Sequence, residues 1–119
     1  MGNMNKALPE YFKVLSDDTR LKILLLLLRE SELCVCELMV ALDESQPKIS
    51  RHLALLKKQA IVSDRKERQW VFYSLHPDLP NWFESVLVQT ANANNDYTNV
   101  PLTALEAMGD RPKRQSSCC

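Results

Sequence analysis

The stretch Ile23-Leu24-Leu25-Leu26-Leu27-Leu28 lies within residues 19–30, a segment that is apolar around most of a helical circumference. Such a helix has no face to offer water, so the rest of the chain has to wrap around it. Arg20 and Lys22 interrupt the run at once on its N-terminal side, whereas a membrane span needs about 20 apolar residues. The segment is therefore the centre of a packed core. With 119 residues and only 2 Gly, the chain predicts one mainly α-helical domain. Its first residues carry no basic region followed by an apolar signal core, so a cytoplasmic location is expected.

Around that centre, Ala7, Leu8, Tyr11, Phe12, Val14 and Leu15 recur at spacings of three and four, which predicts an amphipathic helix over residues 6–16. Ser16 to Asp18 supply capping side chains for the central helix. A third helix is expected over 33–42. After the polar turn Asp43-Glu44-Ser45, Ser45 and Pro47 give a strong start to a fourth helix reaching Lys58. Ile61-Val62, a polar run and then the aromatic, β-branched stretch Trp70 to Leu75 predict a β-hairpin with Arg65, Lys66 and Arg68 at its tip. A further helix is expected from Leu79 to Ala91. Residues 92–119 are rich in Asn, Ser and Pro and are expected to form a flexible tail, with one weak helical segment near Leu102 to Met108, after a domain spanning 1–91.

Formal charge is zero, yet it is unevenly distributed. Glu30 to Glu44 contains five acids and no base, whereas Gln46 to Gln69 contains seven bases and two acids. The basic block coincides with the fourth helix and the hairpin. Two helices joined by a polar turn, the second opening with Gln, Lys, Ser, Arg and His, match what a helix-turn-helix requires, and a basic hairpin behind them matches a wing. The major groove admits one helix, whose first turns reach base edges while flanking cations meet phosphate. The DNA-binding residues expected from this pattern are Ser45, Gln46, Lys48, Ser50, Arg51, His52, Lys57, Arg65, Lys66 and Arg68. Arg51 is suited to guanine and Gln46 to adenine. His52 is expected to contact phosphate or lie at the surface. A solvated charged face is the plainer reading, but the concentration of base on two consecutive elements favours DNA.

Cys34 and Cys36 stand two apart at the start of the third helix, where the helix dipole favours thiolate. They are candidate soft metal ligands, or else small buried hydrophobes. In a regular helix, residues two apart point about 200° from each other, so binding one atom to both would deform that turn. Structural disulfides are not expected in a reducing cytoplasm.

The segment Glu32-Leu33-Cys34-Val35-Cys36-Glu37-Leu38, followed by residues 41–53 from Ala41 to Leu53, closely resembles the ArsR family of metalloregulators, in particular its arsenical-resistance branch. The resemblance covers about residues 8 to 90. It implies a homodimeric winged-helix repressor, with no permanent cofactor, that binds operator DNA with an inverted repeat. It also implies release when the inducer, As(III) or Sb(III), binds Cys34 and Cys36. The family motif continues Asp-Leu-Cys after the second cysteine. Here Leu38 and Met39 end the motif, so the third thiol is missing. Cys118, Cys119 or an external thiol such as glutathione remain as third-ligand candidates, the external thiol being preferred because ordering 26 intervening residues after Ala91 is costly. The first helix and the helix from Leu79 to Ala91 are expected to form the dimer.

An arsenate-reductase-like thiol enzyme would place Arg six residues after its cysteine, where Val40 and Leu42 stand instead, so no enzyme activity is expected. A thiol redox sensor of the same fold is the alternative function. Zinc is disfavoured, since only His52 and His76 supplement the pair.

Overall fold

The computed structural model describes residues 8–110 and Arg114. Among the described residues there are six α-helices, α1 (Leu8–Leu15), α2 (Asp18–Glu30), α3 (Val35–Leu42), α4 (Gln46–Lys58), α5 (Asn81–Ala93) and α6 (Asn99–Ala107), and three strands, β1 (Leu33–Cys34), β2 (Val62–Glu67) and β3 (Trp70–Leu75). The hydrophobic run of α2 sits at the centre as expected, with Ile23, Leu24, Leu26 and Leu27 buried. Tyr11 and Val14 of α1, Leu38 of α3, Ile49, Leu53 and Leu56 of α4, and Phe83 and Leu87 of α5 complete the core cluster. Asp17 starts α2 by accepting the Arg20 N–H at 3.0 Å. Among the described residues no helix is long and apolar enough to cross a membrane.

The sheet is antiparallel with order β1-β3-β2. Its third strand was not expected. Residues 33–42 were predicted to be one helix, but Leu33 and Cys34 are extended and pair with Tyr73 and Phe72 of β3. Both are buried, and the edge of β3 offers them ladder hydrogen bonds that local helical periodicity cannot reveal. Cys34 becomes the N-cap of α3, with φ −89° and ψ 169°, so the helical angle between Cys34 and Cys36 does not apply. Phe72 pairs with Cys34 on one side and with Arg65 on the other, which puts a cysteine and a wing arginine in one row across the sheet.

Where a flexible tail is expected from residue 92, α5 continues to Ala93 and a 3-10 turn at Asn95–Thr98 leads into α6, which overlaps the weak helix expected near residues 102–108 but is packed rather than loose. Helix α6 packs against α3, with Pro101 and Leu105 buried. Tyr97 joins this layer to α2 by donating its hydroxyl to an Asp18 carboxylate oxygen. The polar composition of this stretch hides only a few well-spaced apolar anchors, and α3 supplies the surface they need. The part of the expected tail that holds Cys118 and Cys119 lies outside the described residues.

Candidate DNA-binding face and thiol site

Asp43, at φ 53°, ends α3 in the left-handed conformation, and its N–H returns to Met39 O. The chain then reverses into Ser45, whose hydroxyl accepts the Lys48 N–H at 3.4 Å and caps α4, with Pro47 in the first turn. This is the expected helix-turn-helix. Ile49, His52, Leu53 and Leu56 of α4 point inward, leaving Ser45, Gln46 and Arg51 exposed and Lys48 and Ser50 half-buried. Gln46 Nε2 donates to Ser50 Oγ at 2.8 Å, holding the two polar side chains together on the same stretch of α4.

The lysines and arginines expected at DNA divide into two sets. Lys48 pairs with Glu44 at 3.0 Å, Lys57 with Asp64 at 2.8 Å, and Arg65 with Glu32 at 2.8 Å and Glu67 at 2.5 Å. Hydrogen bonding to Asp64 raises the Lys57 pKa, and Glu32 followed by Glu67 raises that of Arg65. Both therefore stay fully cationic while part of their field is neutralised at home. Arg65 is also stacked over the Phe72 ring at 5.0 Å, so its stem is fixed at the wing. Arg51, Lys66 and Arg68 have no carboxylate within ion-pair distance among the described residues. Arg68, at φ 59°, forms the tight wing turn. These three have the greatest capacity to meet phosphate or a base edge.

His52 does not belong to that surface. It is 7% exposed, with Nε2 3.8 Å from Asp17 Oδ2, and α4 presents it to the start of α2. The expected phosphate contact is thus a packing residue. Its position three after Ile49 and one before Leu53 places it at the margin of the inward face, where an aromatic ring packs readily.

Cys34 is buried and Cys36 half-buried, and both are disulfide-bonded in this structure. The absence of disulfides expected for these residues is not what the structure has. A cleft of about 320 Å³ beside them is lined by Cys34, Val35, Cys36 and Met39 of β1 and α3, by Gln46 of α4, and by Gln69, Trp70 and Val71 of the wing. The cysteine pair, the start of α4 and the wing turn therefore border one space. Among the described residues no group of three His, Cys, Asp or Glu forms a metal-binding cluster, and Met39 occupies the cleft wall where the resembled family has a further thiol. Leu38 is directed into the core.

Two further residues were missed by sequence reading. Glu37 is 0% exposed, and its Oε1 accepts the Cys34 N–H at 2.8 Å, closing the first turn of α3. Its Oε2 accepts from Arg114 Nη1 at 3.1 Å. The three-residue spacing from Cys34 to Glu37 is that of a capping box, a signal legible in the sequence once Cys34 is taken as the cap. Nothing in the sequence points to Arg114.

On α1 and α5, Phe12 and Trp82 are exposed although apolar, their rings 6.0 Å apart, with Leu8 and Val88 exposed on the same two helices. Trp82 also meets buried Tyr11 edge-on at 5.1 Å.

The profile of the bacterial regulatory protein, arsR family, matches residues 17–64, the segment from the α2 cap through the first half of β2. The chain is 47% identical over 119 residues to the arsenic resistance transcriptional regulator ArsR1 of Pseudomonas putida KT2440, covering 98% of this chain and 93% of that protein. It is 53% identical over 85 residues to the arsenical resistance operon repressor of Escherichia coli K12, covering 71% of this chain and 73% of that one. Among solved structures it is similar to reduced HlyU from Vibrio cholerae N16961, with a TM-score of 0.62 and 35% identity over 69% of this chain and 82% of that chain. The proteins matched are transcriptional regulators and not enzymes, in agreement with the reading of the basic helix and hairpin. The chain belongs to the arsR family of bacterial regulatory proteins and is a winged-helix transcriptional regulator.

Proposed function

We propose that the protein is a metalloid-responsive repressor that binds operator DNA as a dimer and lets go when As(III) or Sb(III) is taken up by Cys34 and Cys36. The observation that carries this reading is the shared cleft. Cys34 and Cys36 border the same space as Gln46, at the start of α4, and Gln69 and Trp70, at the wing turn. Drawing two sulfurs onto one atom moves β1 against the first turn of α3. That strain reaches the wing through the Cys34–Phe72 pairing and reaches α4 across the cleft. Soft thiolates suit a trivalent metalloid, and the names of the two regulators with the longest matches described above, both concerned with arsenic, support this choice.

In the proposed complex α4 enters the major groove, with Gln46, Ser50 and Arg51 toward base edges, while Lys66 and Arg68 grip the neighbouring backbone. Ser45, Lys48, Lys57 and Arg65 support that surface through caps and ion pairs. The exposed Leu8, Phe12, Trp82 and Val88 are the dimer face, and a two-fold dimer reads an inverted repeat with half-sites about one helical turn apart or a multiple of it.

The disulfide-bonded state of Cys34 and Cys36 favours a second reading, in which oxidation of the thiols replaces metalloid binding as the trigger. One experiment separates the two. Operator-bound, reduced protein is titrated separately with arsenite, antimonite, zinc and peroxide while release is followed by fluorescence anisotropy. Release by arsenite or antimonite supports the first reading. Release by peroxide alone supports the second.

A further inference from the structure

Arg65 differs from its wing neighbours Lys66 and Arg68 in being held by a carboxylate from another part of the chain. Its Nε donates to Glu32 Oε2 at 2.9 Å and its Nη2 to Glu32 Oε1 at 2.8 Å, a two-pronged grip, while Nη1 donates to Glu67 Oε1 at 2.5 Å. Glu32 stands just before β1 and Arg65 lies in β2, with β3 between those strands. The arginine side chain therefore crosses the middle strand, over the Phe72 ring at 5.0 Å, and ties one edge of the sheet to the other. A carboxylate and a phosphodiester present a similar pair of oxygens, and a guanidinium takes either with two parallel hydrogen bonds. Glu32 thus fills, with an internal group, the prongs suited to a DNA phosphate. Both side chains reach solvent, Arg65 at 49% and Glu32 at 28% exposure, so the grip can open outward.

We propose that Glu32 is an internal competitor for DNA at the wing: it holds Arg65 in the free protein, and Arg65 exchanges that carboxylate for an operator phosphate in the complex. The inference rests on the DNA-binding part of the reading above and is independent of the metalloid part. An exposed ion pair contributes little, whereas a phosphate contact on duplex DNA also releases a condensed counterion, so the exchange runs toward DNA when DNA is present. Glu67 lies two residues along the same strand and travels with Arg65, so the exchange concerns the two prongs on Glu32. Phosphates are the same in every sequence. Glu32 therefore lowers affinity for operator and random DNA by one common factor, and it sets the strength of binding without reading bases.

The test uses the full chain, reduced and without inducer, and measures binding to labelled operator and to random duplex DNA by fluorescence anisotropy across a series of salt concentrations. Glu32→Gln, which removes the charge and keeps the side-chain shape, should tighten both by about two- to fivefold, the range that an exposed ion pair corresponds to. Arg65→Ala should weaken both and lower the slope of log affinity against log salt by about one, because a phosphate contact is lost. In the Arg65→Ala background, Glu32→Gln should change nothing. This arm separates exchange from plain repulsion between Glu32 and DNA, which would tighten binding whether or not Arg65 is present. Three results each overturn the proposal: an unchanged salt slope in Arg65→Ala, no gain in affinity from Glu32→Gln, or an equal gain from Glu32→Gln in both backgrounds. If circular dichroism shows that Arg65→Ala does not fold, Arg65→Gln takes its place in the cycle. A wild-type protein that binds neither DNA would instead remove the DNA-binding reading on which the proposal rests.

Discussion

His52 Nε2 lies 3.8 Å from Asp17 Oδ2, the same carboxylate oxygen that caps α2 by accepting the Arg20 N–H. Helix α4 is thereby joined to the first turn of the central helix. Burial lowers the His52 pKa below its ordinary 6.5; Asp17 pulls the other way, while Arg20, Arg51 and Lys48 add to the lowering.

A depressed histidine pKa means that the unfolded chain binds the proton more readily than the folded one, so stability rises with pH through the interval just below 6.5 and is lost as pH falls through it. Asp17, whose pKa is lowered chiefly by the Arg20 amide, responds only below its ordinary 3.8 and does not contribute in that interval. Melting temperatures between pH 7.5 and 5.5 should fall more steeply for the wild type than for His52→Gln. The salt dependence of operator binding should be the same for both. A shallower salt slope in the variant would return His52 to the phosphate contacts.

Arg51 and Lys66 should separate in their effects on DNA. Arg51→Ala is expected to lose about 1 to 3 kcal/mol on operator and much less on random DNA, because a bidentate base contact is specific. Lys66→Ala should weaken both by a similar factor and reduce the salt slope by about one. Binding isotherms at several salt concentrations on the two DNAs measure this. An equal loss on both for Arg51→Ala would remove it from the base-reading set.

Cys34→Ser and Cys36→Ser should each bind operator like the wild type and fail to respond to arsenite. Serine preserves size and the N-terminal hydrogen bonding of α3 but cannot act as a soft ligand. The coupling these variants remove need only be about 1 to 3 kcal/mol, enough for a change of one to two orders of magnitude in operator affinity.

Phe12→Glu and Trp82→Glu should each yield monomers in sedimentation velocity, with intact far-ultraviolet circular dichroism and severely reduced operator affinity. Both side chains are substantially exposed, at 50% and 39%, so the charge costs the monomer little, whereas in an apolar interface it would be buried. A dimer that survives both changes places the two-fold contact elsewhere.

Leu105→Ala should destabilise the domain by about 2 to 4 kcal/mol in denaturant unfolding, the usual cost of emptying a buried leucine site. Leu105 is 1% exposed in α6, and a residue of a flexible tail would show no such loss.

The helices whose apolar faces recur every three or four residues could be read directly, and so could the Ser45–Pro47 helix start and the aromatic strand Trp70 to Leu75, because each signal is local. The two-residue strand at Leu33 and Cys34 could not, since its only reason to be extended is β3, some forty positions away. Similarly, α6 owes its place to α3, and Arg114 to a carboxylate at position 37. His52 was misplaced because a basic neighbourhood suggests a surface, while its inward orientation depends on where α2 begins. The cysteine pair was evident; the cleft that joins it to Gln46 and Trp70 required three separated segments to be brought together.

The row Cys34–Phe72–Arg65 has a consequence for timing. Adjacent strands lie about 4.8 Å apart, so the cysteine and the wing arginine are two rungs, or about 10 Å, from each other on one short ladder. On the proposed reading, a pull on the cysteine would reach the wing along this one ladder, across the buried Phe72. Loop motions belong to the nanosecond-to-microsecond range. The lifetime of the repressed state after an inducer appears should therefore be set by how fast sulfur captures it.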